Sequence, residues 1–289
     1  MRVIPRIQYR TKKPQKATLE IIAHVNEIID SYAEQGYTLT VRQIFYQMVS
    51  KNLISNTEAE YTNLCNKIKD GRYAGLIDWT AIEDRTRFLR QLQHWNNPAE
   101  IIKAAANSYR IDLWQDQEYY LEIWCEKDAV IGIVEQVANR HDVPCFSCRG
   151  YGSTTEYWNA AQRIIEHGKP CVILHLGDHD PSGQDMSRDI QDRLTEFEAE
   201  VYIKRIALNM DQIEQHKPPP QMAKKTDKRT QGYIEKHGVL HSWELDALSP
   251  EVLDNLITEH ILDYLELDKF EKALFRQDQQ KTELLKIIV

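Results

Sequence analysis

The chain has 289 residues, 42% of them hydrophobic and 28% charged, with a formal net charge of −8. That balance is the composition of an ordinary folded domain protein and excludes disordered and fibrous classes. No apolar run approaches the ~18 residues that a membrane span needs, so no membrane partner is expected.

The first 16 residues carry six basic side chains and no acid. They lack the apolar segment of a secretory signal, and a cytoplasmic location is the expectation. Residues 17–35 place Leu19, Ile22, Val25 and Ile28 at helical spacing, with Gly36 ending the run. A second helix is expected from Thr40 to about Lys51. A third follows a Ser/Asn cap at 55–56 and carries Tyr61, Leu64 and Ile68 on one face. The phrase AGLIDWTAI (74–82) reads as a short strand pair or a turn. Together these elements predict a helical, winged-helix-like DNA-binding domain over residues 1–95, followed by a linker over 96–118.

From Tyr119 the pattern changes to strands alternating with helices. The segments YLEIWC, PCFSC, CVILHL and VYIKRIAL read as strands, with helices over DAVIGIVEQVANRH, TTEYWNAAQRIIEHG and GQDMSRDIQDRLTEFEAE. This alternation predicts an α/β domain over 119–250, with a Rossmann-like parallel sheet and helices on both faces. Five scattered cysteines argue against a disulfide framework, and the lone pair Cys145 and Cys148 reads as two half-buried strand residues. Residues 217–229 hold five basic side chains and one acid, a composition compatible with nucleic-acid backbone. Residues 251–289 read as an acidic helical extension, since eleven acids face five bases from Glu244 to Val289.

Parallel sheets carry their working residues at the carboxyl ends of the strands. The first strand ends in CEKDAV and the third in GDHDPSG, so Glu126 projects from one end and Asp178 and Asp180 from the other. Aspartates two residues apart leaving a strand point the same way. Three carboxylates of this kind suit Mg²⁺, which takes oxygen ligands and keeps positions open for water and phosphate. His175 and His179 are not expected to bind a metal, because alternation turns His179 away from its neighbours.

In the second helix Val41, Ile44, Phe45, Met48 and Val49 share an apolar face, and Tyr46 lies about 130° from its centre beside Arg42. Periodicity leaves two readings open. Tyr46 is either a structural tyrosine at a domain interface, or a phenol placed beside a cation to attack phosphate.

LEIWCEKDAV followed by LHLGDHDPSG resembles the Toprim fold of topoisomerases, primases and several nucleases. The Glu-Lys pair with Asp-x-Asp-Pro-x-Gly is most similar to the A subunit of topoisomerase VI and the related meiotic double-strand-break enzymes. RIALNMDQIEQHKPPP and ELDAL resemble segments that follow the Toprim core in that family. The resemblance implies Glu126, Asp178 and Asp180 as magnesium ligands. It also implies that Tyr46 is the DNA-cleaving tyrosine within an Arg-x-Ile-Phe/Tyr-Tyr motif, and that two protomers form a homodimer in which the tyrosine of one works beside the metal of the other. Arg149 is expected near the same crevice, and Lys224, Lys225 and Arg229 against DNA backbone. Glu244 and Asp246 resemble a family acidic position, with a helix-start cap as the alternative. The chain has no GxxxxGK[ST] loop, so any ATP would be bound by a separate ATPase subunit. The competing expectation is a metal-dependent nuclease of the same fold that uses water, with Tyr46 structural.

Overall fold

The computed structural model describes residues 6–11, 14–83, 92–148, 150, 152–222 and 227–286. Three helices open the chain: α1 (Lys16–Ala33), α2 (Val41–Ser50) and α3 (Glu58–Tyr73). The backbone turns out of α1 through Gly36, whose φ of +85° suits glycine. The Thr40 hydroxyl accepts from the Gln43 N–H at the start of α2, and the Gln43 side chain accepts from the Thr40 N–H, forming a capping box. The three helices bury Ile22, Ile28, Ile44, Met48, Leu64 and Ile68 in one core. Leu19, expected on the buried stripe, is 43% exposed, so the stripe begins a turn later, at Ile22. Residues 74–82 form a turn with single bridges from Ala74 to Gln8 and from Ile82 to Leu39.

The expected linker contains a helix, α4 (Pro98–Ser108). Its start is encoded locally: Asn97 accepts from the Glu100 N–H and Pro98 stands at the first helical position.

The sheet is built from β1 (Tyr120–Cys125), β2 (Cys145–Ser147), β3 (Cys171–Leu176) and β4 (Val201–Ala207), all parallel and ordered β2-β1-β3-β4. Between them run α5 (Ile131–His141), α6 (Thr154–His167) and α7 (Pro181–Glu196). Alternation sends Leu121, Ile123 and Leu174 into a core with α5, and Trp124 and Ile173 into a second core with α6 and α7. Helices therefore cover both faces, and the α/β class with a Rossmann-like parallel sheet follows.

Beyond β4 come α8 (Met210–His216), β5 (Gln221–Met222), α9 (Thr230–His237) and β6 (His241–Ser242), with β5 and β6 antiparallel. A 3-10 turn at Leu245–Ala247 leads to α10 (Pro250–Leu262) and α11 (Leu267–Lys286). The acidic tail is more than an appendage. Leu253, Ile257 and Ile261 of α10 are completely buried in the core that holds β1 and α5. α11 adds Phe270 and Ala273 to that core. The side-chain Oε1 of Gln277 in α11 accepts from the Ile111 N–H.

One charge lies inside the sheet face. Glu122 accepts from Tyr120 Oη at 2.6 Å, Trp124 Nε1 at 2.7 Å and the Arg163 guanidinium at 2.8 and 3.0 Å. Its side chain is 2% exposed, while that of Arg163 is 43% exposed. Removing one partner of a buried pair leaves the other without compensation. Arg163→Ala is expected to lower stability by about 3 kcal/mol, near the low end for such pairs because the arginine is partly solvated. The shift in the urea midpoint at unchanged slope measures it.

Candidate active site

With β1 central, the chain moves first to β2 on one side and then to β3 on the other. The strand order reverses between β1 and β3, and crevices at such points are where open α/β sheets bind ligands. Glu126 is the first residue after β1. Asp178 and Asp180 follow β3, the strand directly beside it. The structure thus brings the carboxyl-bearing strand ends together.

The Glu126 carboxylate accepts from the Asp178 N–H at 3.0 Å. Asp180 caps α7 by accepting from the Gly183 N–H at 2.6 Å, which sets its carboxylate at the positive end of the helix dipole. Glycine makes this closeness possible. A Cβ on Gly183 would lie 2.3 Å from the Asp178 carbonyl oxygen, and one on Gly177 would lie 2.8 Å from Glu126 Oε2.

Residues far away in sequence complete the cluster. His179 and Trp243 exchange backbone hydrogen bonds at 2.9 and 3.0 Å, pinning the segment after β6 against the Asp178–Asp180 turn. The Leu245 N–H then donates to Asp178 Oδ1 at 2.7 Å. This docking brings in Glu244 and Asp246. The Lys127 ammonium sits among the acids, 3.0 Å from Asp178 and 3.5 Å from Asp246, and it also pairs with Glu244. Arg42 approaches from α2, with Nη2 3.0 Å from Glu244 and Nε 2.8 Å from Asp246.

Arg42 also reaches Tyr46. Its Nη2 donates to the phenol oxygen at 3.3 Å, and Gln221 of β5 donates to the same oxygen at 3.1 Å. The sequence pattern puts Tyr46 off the core face of α2, yet the residue is only 2% exposed. That second side of α2 is covered too, by the 3-10 turn and by β5. Burial, and next the nearby Asp246, push the Tyr46 hydroxyl up to about 12, while Arg42 and Gln221 act the other way. The tyrosine borders a cavity of about 570 Å³ whose walls include Arg42, Tyr61, Asn56 and Gln221. Tyr46, Arg42, Asp246, Lys127 and Asp178 therefore form one continuous chain of contacts.

Burial and neighbouring negative charge both disfavour the ionised acids here. Burial first, then the Asp178 charge, push Glu126 up from its ordinary 4.5 to about 7. Asp178 is raised as well, mainly by burial, against the pull of Lys127. Among the described residues, no three histidine, cysteine or acidic side chains converge in a geometry that holds a metal ion. Glu126, Asp178 and Asp180 feel one another's charge without meeting at one point. The donors these three acids offer are nonetheless all oxygen, and Gly177 and Gly183 let the turn lie close against Glu126. These features fit a hard divalent cation better than a soft one.

Arg229 is held by Asp227 at 2.9 Å and lies 3.5 Å from Asp185. Arg149, Lys224 and Lys225 lie outside the described residues. His179 hydrogen-bonds the Tyr233 hydroxyl at 2.7 Å, and His175 the Ser187 hydroxyl at 2.8 Å. Sequence reasoning missed Gln221, which has no motif around it, and gave Lys127 no role beyond its place in the Glu-Lys pair.

A scan against models of known protein families finds no match for this sequence, and a search of curated proteins finds no relative.

The Glu126 shift makes stability depend on pH in a set direction. Between about 4.5 and about 7 the folded chain keeps a proton that the unfolded chain has released. The stabilisation is full below the lower value and is lost as pH rises through the upper one, and Asp178 moves in the same direction. Glu126→Gln is expected to flatten this slope. At pH 8 without divalent ions it should be more stable than the parent by on the order of 3 kcal/mol, read from urea unfolding across pH 4–8.

Proposed function

We propose that this chain cleaves DNA strands by transesterification through Tyr46, with Mg²⁺ held by Glu126, Asp178 and Asp180, in the manner of a topoisomerase VI A subunit. The observation that carries the reading is the setting of the Tyr46 oxygen. It accepts hydrogen bonds from two donors, Arg42 and Gln221, on the wall of a cavity, and Arg42 links it to the acidic cluster. A phenol whose neighbours donate to its oxygen is prepared to carry negative charge. Helices α1, α2 and α3 take the part of a winged-helix DNA-binding domain, and the sheet that of a Toprim domain.

In this mechanism the Tyr46 oxygen loses its proton and bonds to a backbone phosphorus. The bond from phosphorus to the 3′ oxygen breaks, and that oxygen leaves with a proton. The product is a 5′-phosphotyrosyl strand and a free 3′ hydroxyl. Arg42 donates to the phenolate and lies close enough to the same cavity to meet phosphate. Asp246 orients Arg42, and Lys127 holds Asp178 in place. Mg²⁺, when bound, supplies neutralisation of phosphate charge. Arg149, Lys224, Lys225 and Arg229 are assigned to the DNA backbone. For Arg229, that role requires phosphate to compete with Asp227.

A second reading has its own support. Tyr46 is 2% exposed with its hydroxyl raised to about 12, whereas Glu126 at about 7 is suited to take a proton from water. On that reading the chain is a Toprim-type nuclease and Tyr46 is structural. Supercoiled DNA incubated with the protein and Mg²⁺, then denatured in detergent with or without protease, separates the two. Transesterification gives protein-linked 5′ ends that disappear in Tyr46→Phe. Free ends made equally by the parent and Tyr46→Phe would establish the nuclease instead. Cleavage that persists in Asp178→Ala/Asp180→Ala would remove both readings.

The homodimer belongs to the same proposal, as does a separate ATPase subunit for any ATP-driven step. If the tyrosine of one protomer acts beside the acids of the other, mixing Tyr46→Phe with Asp178→Ala chains restores cutting of one strand in every mixed dimer. A chain that uses its own acids shows no restoration.

A further inference from the structure

The turn that carries Asp178 and Asp180 rests on a cation that no motif marks. Arg205 stands near the end of β4 and extends beneath residues 177–183. Its Nη1 donates to the Gly183 carbonyl at 2.8 Å, and its Nη2 to the carbonyls of Asp178 at 2.6 Å and Gly177 at 2.9 Å. The Leu208 carbonyl lies at 3.4 Å from the same nitrogen. Both ends of the turn therefore converge on one guanidinium.

Convergence of this kind needs a donor. The carbonyl oxygens of Gly183, Gly177 and Asp178 all lie within 2.9 Å of one guanidinium, so the negative ends of three peptide dipoles are gathered there. A planar fork with several N–H groups answers three carbonyls at once, which a single ammonium cannot do with the same geometry. The β3–β4 register slips by one residue just here, pairing His175 with Arg205 but Leu176 with Ala207. Bulges of this sort redirect a side chain, and this one adjoins the arginine. Arg205 has no direct ion pair among the described contacts. Its charge is met through space by Glu126, Asp178 and Asp180, which oppose the effect of burial on the guanidinium.

We propose that Arg205 is a positioning residue for this site: its guanidinium sets the path of the Gly177–Gly183 turn, and with it the direction in which Asp178 and Asp180 present their carboxylates to a divalent cation. The brace stands on geometry alone, whereas its purpose rests on the Mg²⁺ reading given above. Arg205 acts through the turn and is assigned no contact with substrate.

The test uses the full chain, Mn²⁺ alone as the probe, and two variants. Arg205→Gln removes the fork and the charge. Arg205→Lys keeps the charge but offers one nitrogen, and it guards against a glutamine variant that fails to fold. Amide hydrogen exchange across residues 177–184 reads the turn, with β1 and α5 as internal references. Mn²⁺ binding followed by electron paramagnetic resonance reads the carboxylates. Arg205→Gln is expected to speed exchange in 177–184 at least tenfold while the references stay protected, and to weaken Mn²⁺ binding at least tenfold. Arg205→Lys is expected to show both losses at smaller size. A merely structural arginine would loosen the references along with the turn, and that result overturns the proposal. So does unchanged exchange in the turn, or faster exchange with unchanged Mn²⁺ affinity. A parent chain that binds no Mn²⁺ overturns the cation reading and the purpose given to Arg205, while the exchange data still judge the brace separately.

Discussion

Two adjacent strand ends deliver acidic side chains to one small volume, and the surrounding structure is arranged to neutralise them. Glu126 leaves β1 and Asp178 leaves β3 where the strand order reverses, and parallel pairing keeps the two ends level. Positive charge answers from three directions. Lys127 comes from the residue after Glu126, Arg205 from beneath on β4, and Arg42 from α2. Each answer also fixes a piece of architecture. Arg42 ties α2 to the segment after β6, and Leu245 with the His179–Trp243 bridge ties that segment to the turn after β3. Tyr46 is joined to the acids through the same arginine, which also donates to its phenol oxygen.

Such a cluster adds little net stability. Bringing charges out of water costs several kcal/mol per ion, and attraction between them offsets this only when geometry is good. The raised positions of Glu126 and Asp178 are the residue of that cost. The hydrophobic cores on both faces of the sheet supply the stability instead, including the contribution of α10 and α11 from the acidic end of the chain. A fold that tolerates strained electrostatics at one rim while burying Ile123, Leu174 and Ile257 completely elsewhere has separated packing from chemistry.

Much of this was legible in the sequence because it depends on short periods. Helices α5, α6 and α7 show a period of 3.6 and the strands show as short, largely apolar runs between them, with β1 and β3 buried along their whole length, and the rule of strand ends then singles out Glu126, Asp178 and Asp180. Three things were hidden for physical reasons. Tyr46 sits off the apolar stripe of α2, but a helical wheel describes one neighbour and α2 has two, so its second side is buried by residues some 175 to 200 positions away. Gln221 arrives at the site only through tertiary docking, which no local pattern encodes. The helix α4 was overlooked between larger segments although Asn97, Pro98 and Glu100 write its start plainly. Gly183 shows the converse: its place in Asp-Pro-x-Gly is visible, but the 2.3 Å approach that makes glycine necessary is a property of the folded turn.

The proposed chemistry places Arg42 and Lys127 between two claims. In the structure they satisfy Glu244, Asp246 and Asp178. A phosphodiester entering the cavity beside Tyr46 would bring its own negative charge within reach of Arg42, and a shift of Arg42 toward it would leave Asp246 and Glu244 to Lys127 alone. Lys127 would then be drawn toward that pair and away from Asp178. On the proposed Mg²⁺ reading, an Asp178 carboxylate freed of its ammonium, beside a buried Glu126, would bind the cation more strongly than before. Linkage makes the effect reciprocal, so the cation must favour phosphate by the same factor. On this reading the ion network is the physical coupling between the two ligands, and Arg42 is the residue through which each senses the other.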